Sequence, residues 1–142
     1  MTIAAILQSK GSEVLTVECG TSVRDVVALL AERRFGAVPV LKGGEVAGIM
    51  SERDLVYCLS SDGAAVLDWP IERIMTAPAI TVSRDSEIMG ALSLMTKRRI
   101  RHLPVVDGGA LVGLVSIGDL VKYRMDKIEA EAAAMLSYIQ SV

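Results

Sequence analysis

The sequence predicts an α/β (α+β) fold of two pseudo-twofold-related strand–helix–strand–strand–helix units, packed through their sheets and followed by a C-terminal helix. Three observations predict it. Residues 16–56 align with residues 81–121 at a constant shift of 65 and without a gap. Each copy ends in the same glycine-to-aspartate signature, Gly48-Ile49-Met50-Ser51-Glu52-Arg53-Asp54 and Gly113-Leu114-Val115-Ser116-Ile117-Gly118-Asp119. Beyond the second copy, apolar residues recur in steps of four and three. Pairs such as Arg33/Arg98, Arg34/Arg99, Pro39/Pro104, Val40/Val105 and Leu55/Leu120 mark a duplication. Each unit is too small to bury a good core alone, so the two pack face to face. The division expected is residues 1–62, first unit with an N-terminal arm, and residues 63–142, second unit with linker and tail.

Composition narrows the function classes. Apolar residues make up 51% of the chain, enough for a core, and aromatic residues only 4%, so that core is aliphatic. A formal net charge of −2 argues against a nucleic-acid partner, which calls for a basic face. No apolar run reaches the length of a membrane span, and the N-terminus lacks the basic and apolar regions of a signal peptide. Cys19 and Cys58 have no metal-type spacing, and isolated thiols of this kind predict a reduced, cytoplasmic setting.

In the first unit, residues 1–10 read as a short helix or arm ending at Lys10-Gly11. Glu13–Val17 reads as a strand. Thr21 or Ser22 caps a helix whose Val23, Val26, Val27 and Leu30 form one apolar stripe. Arg33 and Arg34 close its last turn, where cations suit the dipole. Ala37–Leu41 is a strand whose proline implies an edge, or an end where no ladder donor is needed. Gly43-Gly44 makes a hairpin turn, and Val46–Met50 returns. A second helix starts from Ser51.

Residues 60–70 join the repeats, with the only tryptophan, Trp69, packing the joint. Ile71–Thr76 forms a helical turn. The second unit repeats the order: strand Ala79–Val82, helix Glu87–Lys97, strand Arg101–Val106, turn Gly108-Gly109, strand Leu111–Val115 and a helix from Ser116. In the tail, Val121, Met125, Ile128, Ala132, Met135, Ile139 and Val142 trace a heptad seam. It predicts either pairing with another helix or folding back on the module.

The signature itself has two readings. Ser-x-x-Asp spaces a capping box, in which Ser51 or Ser116 and Asp54 or Asp119 satisfy free N–H groups at a helix start. The same helix start attracts phosphate, and an aspartate one turn in can accept two hydrogen bonds from a ribose diol. His102 is the only histidine, so no metal cluster forms around it with the cysteines. It is either a structural histidine or a phosphate ligand. Arg53 either reaches phosphate or lies on the surface.

The two signatures, the Val38-Pro39-Val40 and Leu103-Pro104-Val105-Val106 strands and Ile74-Met75-Thr76 before the second unit resemble a tandem of cystathionine-β-synthase (CBS) domains, a Bateman module. The resemblance covers nearly the whole chain and looks like small stand-alone bacterial CBS pairs. It implies a sensor for an adenine nucleotide (AMP, ADP, ATP or NAD(H)) held between the repeats. On that resemblance Asp54 and Asp119 take the ribose hydroxyls, and Ser51 and Ser116 lie near ribose and phosphate. Ala79, Ile80 and Thr81 serve the Asp54 site, and Leu15, Thr16 and Ala37 the Asp119 site. Arg101 and His102 stand where the family places phosphate-contacting basic residues. The first repeat has Gly36 and Ala37 there, so the two sites need not prefer one nucleotide, and the stronger site expected is that of Asp54.

The reading is therefore a regulatory nucleotide-binding module without catalysis, a homodimer that passes its ligand state to a protein partner. A structural dimerisation unit with empty slots is the alternative. An enzyme is disfavoured by the lack of a Ser-His-Asp order, metal spacing or Walker loop.

Overall fold

The computed structural model describes residues 1–141. Its elements are α1 (Ile3–Lys10), β1 (Val17–Glu18), α2 (Val23–Arg33), β2 (Ala37–Lys42), β3 (Glu45–Ser51), α3 (Glu52–Asp62), α4 (Ile88–Arg98), β4 (His102–Asp107), β5 (Ala110–Ser116) and α5 (Ile117–Ser141). Two 3-10 segments, Gly63–Asp68 and Ile71–Arg73, join the units. Strands β1-β2-β3 make one sheet and β4-β5 the other.

Local chemistry accounts for the elements. The Ser22 hydroxyl accepts from the Asp25 amide at 3.2 Å and starts α2, which buries Val23, Val26 and Leu30. Helices α2 and α4 both end on an arginine in the left-handed region, Arg34 at φ 57° and Arg99 at φ 54°. Both hairpins turn on two glycines of positive φ, 59° and 82° at Gly43-Gly44, 57° and 80° at Gly108-Gly109, as a type I′ turn requires. Each hairpin carries one register shift, at Val40/Leu41 and at Val105/Val106.

The first strand of each unit is shorter than expected. Only Val17 and Glu18 pair, in parallel with Val40 and Leu41, and the second unit has a lone bridge, Val82 to Val105. The prolines explain this. The Val82 amide donates to the Pro104 carbonyl and the Val106 amide to the Val82 carbonyl. The next parallel bond toward residue 80 would come from the Pro104 nitrogen, which has no hydrogen. Pro39 stands at the same place in β2. It is tolerated inside the sheet because it faces Ile49, whose N–H and C=O are both spent on Thr76. The segments predicted as strands at residues 13–16 and 79–81 lie outside the ladders.

Packing crosses the division at residue 62. Ile3, Ile6 and Leu7 of α1 join the core of the second unit, with Ile88, Met95, Leu103 and Leu120. Val66, Ile71 and Ile74 from the joint fill the core of the first, with Val23, Val38 and Met50. The two arms dock alike. Ile71 N donates to Thr21 O and Val23 N to Trp69 O, while Ile3 N donates to Ser86 O and Ile88 N to Met1 O. The signature glycines make room for them. A Cβ on Gly48 would sit 2.6 Å from the Thr76 carbonyl oxygen, and one on Gly113 would sit 2.6 Å from Leu7 Cδ2. Trp69 packs the joint as expected, with the Arg73 guanidinium 3.6 Å above its ring.

Leu120 is fully buried and Tyr123 half-buried against the same core, and beyond them α5 leaves the body with Met125, Ile128, Met135, Leu136, Tyr138 and Ile139 exposed. The tail does not fold back on its own module. Val142, the last position of the seam, lies outside the described residues. Among the described residues no helix is long and apolar enough to cross a membrane.

Candidate functional site

Both signatures form real caps. Ser51 N donates to Asp54 Oδ2 at 2.8 Å and Asp54 N to the Ser51 hydroxyl at 3.4 Å. The second copy matches it: Ser116 N to Asp119 Oδ2 at 2.8 Å, and Asp119 N to the Ser116 hydroxyl at 3.1 Å. The amide that opens each helix is also held by the residue just before the other strand of its hairpin, Glu52 N by Gly36 O and Ile117 N by Arg101 O. Capping is thus settled as geometry. Ribose binding has to use whatever acceptor capacity each carboxylate keeps, out of about four lone-pair directions.

The two aspartates differ there. Asp54 is bonded on both oxygens, since the Ser51 hydroxyl reaches Oδ2 at 3.1 Å and the Thr76 hydroxyl reaches Oδ1 at 3.0 Å. Asp119 takes its bonds on Oδ2, from Ser116 N and from Lys10 Nζ at 2.7 Å. Lys10 also donates to the Leu114 carbonyl at 2.8 Å. Its ammonium therefore lies across the start of α5.

The space around them differs too. Asp119, Ser116 and Lys10 open on a cavity of about 350 Å³, walled by Val14, Leu15, Phe35, Ala37 and His102. Ser51 faces a hollow of about 70 Å³ with Ile49, Thr76, Ile80 and Ile100. Ala37 and His102 line both, so the two spaces share a wall. Gly36 leaves the room His102 uses, since a Cβ there would lie 3.4 Å from the imidazole and 2.7 Å from Glu52 Oε1. A further hollow of about 380 Å³ between α2 and α3 holds neither signature aspartate. It meets the Asp119 cavity at Arg34 and Phe35.

Charge in the cavity is set by burial and by Lys10. Burial pushes the Asp119 carboxyl up, but hydrogen bonds from Lys10 and Ser116 and the Lys10 charge outweigh it and hold the group below the usual carboxylate range. Burial pushes the His102 imidazole below its ordinary 6.5, with Arg101 and Lys10 adding to the effect against Asp119 and Glu52. The neutral form is therefore favoured near pH 7.

Leu15, Ala37, Ser116, Asp119 and His102 gather at one cavity, while Ser51, Ile80, Ala37 and His102 line the smaller one. Asp54 reaches the edge of the latter through Thr76. Thr16, Ala79, Thr81 and Arg101 line neither cavity, and of these Thr81 and Arg101 are exposed. Arg53 donates to the Arg99 carbonyl at 2.8 Å and so ties α3 to the end of α4. Sequence reasoning missed Lys10, Phe35 and Thr76. A signal for the arms was present: Ile3-x-x-Ile6-Leu7 and Ile71-x-x-Ile74-Met75 repeat at a shift of 68, outside the gapless alignment.

Comparison with known proteins gives consistent relatives. The family model "CBS domain" matches residues 9–61 and 71–126. The CBS domain-containing protein CBSX3, mitochondrial, of Arabidopsis thaliana is 33% identical over 98% of this chain and 72% of its own length. The crystal structure of the CBS-domain containing protein ATU1752 from Agrobacterium tumefaciens superposes with TM-score 0.84 at 36% identity, covering 87% of this chain and 99% of that one. That of CBSX2 in complex with AMP gives TM-score 0.74 at 25% identity, covering 88% and 96%.

Proposed function

The chain belongs to the CBS-domain family, and we propose that it is a regulatory module that binds an adenine nucleotide in the Asp119 cavity. AMP, ADP, ATP and NAD(H) share the groups this site would read. One observation carries the reading: a 350 Å³ cavity brings a carboxylate, a helix start and a lysine together. That volume falls within the ~300–1,000 Å³ of small-molecule sites. Its apolar wall of Val14, Leu15, Phe35 and Ala37 suits a purine, and Asp119 Oδ1 accepts from the ribose hydroxyls. Lys10 then exchanges Asp119 for phosphate. The exchange costs little, because a partly exposed ion pair contributes about 1 kcal/mol or less. The likeness to an AMP-bound CBS pair supports the class of ligand.

The module acts by binding, as a homodimer that hands its ligand state to a protein partner, without catalysis of its own. Ligand shifts the population of shapes by its difference in affinity for them. A cytoplasmic setting fits two free thiols, Cys19 and Cys58, the latter held protonated by burial and by Asp54 and Asp62. The rival is a structural unit with no ligand, and one observation favours it: Lys10 already satisfies Asp119. Native mass spectrometry and melting curves with AMP, ATP and NAD separate the two. Ligand at a hundred times Kd adds about 2.7 kcal/mol of stability. Absence of both co-purified nucleotide and thermal shift would leave the structural unit.

A further inference from the structure

The geometry points to α5 as a parallel coiled-coil arm that pairs with the α5 of a second copy of this chain. The inference rests on the self-association put forward above and adds its element, direction and register. Helix α5 runs 25 residues, and its first two turns are anchored, by Leu120 with Ile117 and Tyr123 beside it. Along it Val121, Met125, Ile128, Ala132, Met135 and Ile139 follow one another by four and three. Met125 is 55% exposed, Ile128 48%, Met135 60% and Ile139 61%. The seam from Val121 to Ile139 runs about 27 Å at 1.5 Å per residue. An apolar stripe of that length facing water calls for a partner of the same length.

Charge selects the partner and its direction. With Met125, Ala132 and Ile139 at the first core position of each heptad, the charged flanking positions are Lys122, Arg124, Glu129 and Glu131. In a parallel pair the flank before one core layer faces the flank five residues further on the other helix. Arg124 then meets Glu129 of the second copy, and the twofold axis makes that contact twice. Glu131 faces Leu136, which carries no charge. In the antiparallel register that buries the whole seam, Glu129 faces Glu129 and Glu131 faces Glu131 across the axis, both repulsive. Arg124 is in no ion pair within this chain among the described residues, while Lys122, one heptad before Glu129 on the same flank, is held by Asp126 at 3.6 Å and faces the uncharged Ile117 of the second copy. From residue 132 to 141 no residue is charged, so the far end zips by apolar contact alone.

Two variants on the full chain test this. Ile139→Cys places a thiol on the seam, where a parallel pair sets it against its own copy, and Ser137→Cys places one on the outer face as a control. Under mild oxidation, Ile139→Cys is expected to form a disulfide-linked dimer and Ser137→Cys to remain monomeric on a non-reducing gel. In sedimentation, Arg124→Glu is expected to weaken the dimer roughly tenfold and Arg124→Glu with Glu129→Arg to restore it. A dimer that ignores both charge variants and leaves Ile139→Cys uncrosslinked would overturn the arm and keep self-association. A wild-type chain that sediments as a monomer would overturn both.

Discussion

Lys10 Nζ stands 2.7 Å from Asp119 Oδ2, joining the end of α1 to the first turn of α5 across 109 residues of sequence. The contact exists because α1 docks on the second unit, where Ile3, Ile6 and Leu7 complete its core. It holds the one signature carboxylate that faces a large cavity.

Lys10→Met should separate charge from shape. AMP and ATP are expected to bind more weakly, by an amount typical of one charged hydrogen bond, about 1.5–3 kcal/mol. Adenosine, with no phosphate, should bind as well as before or better. Calorimetry with both ligands checks this, and an equal loss for adenosine would remove Lys10 from the phosphate contact.

Acid stability has a definite sign. Asp119 has a depressed folded-state pKa, so its contribution is full above its ordinary 3.8 and is lost as pH falls through the folded value. His102 has a lowered pKa as well, so the unfolded chain takes up its proton first, and stability falls as pH drops below 6.5. His102→Gln should flatten the upper part of the acid limb and Lys10→Met the lower part. Urea midpoints between pH 7 and pH 3 test both, and a limb unchanged by either variant would contradict the assignment.

The arms should be separable from ligand binding. Ile3→Ala and Ile71→Ala each empty a fully buried site, for about 2–5 kcal/mol. Each is expected to loosen the unit on which the arm packs, so hydrogen exchange after Ile3→Ala rises in residues 88–120 more than in residues 23–50. The opposite pattern would return α1 to the first unit.

Arg53 holds the Arg99 carbonyl. Arg53→Met should therefore lower the melting temperature slightly and leave nucleotide affinity within about twofold, the change expected of a surface contact of 0.5 kcal/mol or less. A loss of affinity well beyond that would bring Arg53 back to the phosphate.

Much of this was legible in the chain because it depends on local chemistry. Ser22, Ser51, Ser116, the paired glycines and the apolar stripe of α2 act within a few residues, and the duplication doubles each signal. Pro39 was legible as either an edge or an end where no ladder donor is needed; β2 lies between β1 and β3, so the edge alternative fails, and how far Pro39 and Pro104 shorten the first strands needed the partner segment in view. What stayed hidden was non-local. Nothing near Lys10 says that it meets Asp119, because that depends on an arm crossing to the other unit. The expectation that the Asp54 site is the stronger rested on Arg101 and His102; Arg101 is exposed and lines neither space, and His102 lines both. The room lies at Asp119, and Thr76 takes the remaining oxygen of Asp54.

The central claim is that Asp119 holds a ribose and Asp54 mainly caps a helix. Both oxygens of Asp54 accept, so Asp54→Asn loses one of those bonds and is expected to lower stability by about 1 kcal/mol while leaving affinity nearly unchanged. Asp119→Asn keeps an acceptor for the cap but turns one ribose acceptor into a donor, so AMP should bind at least tenfold more weakly. Titration calorimetry of AMP into these two variants and the parent measures it directly. A tenfold or greater loss is expected in Asp119→Asn alone. Wild-type affinity in Asp119→Asn, with the loss in Asp54→Asn or in neither, would contradict it.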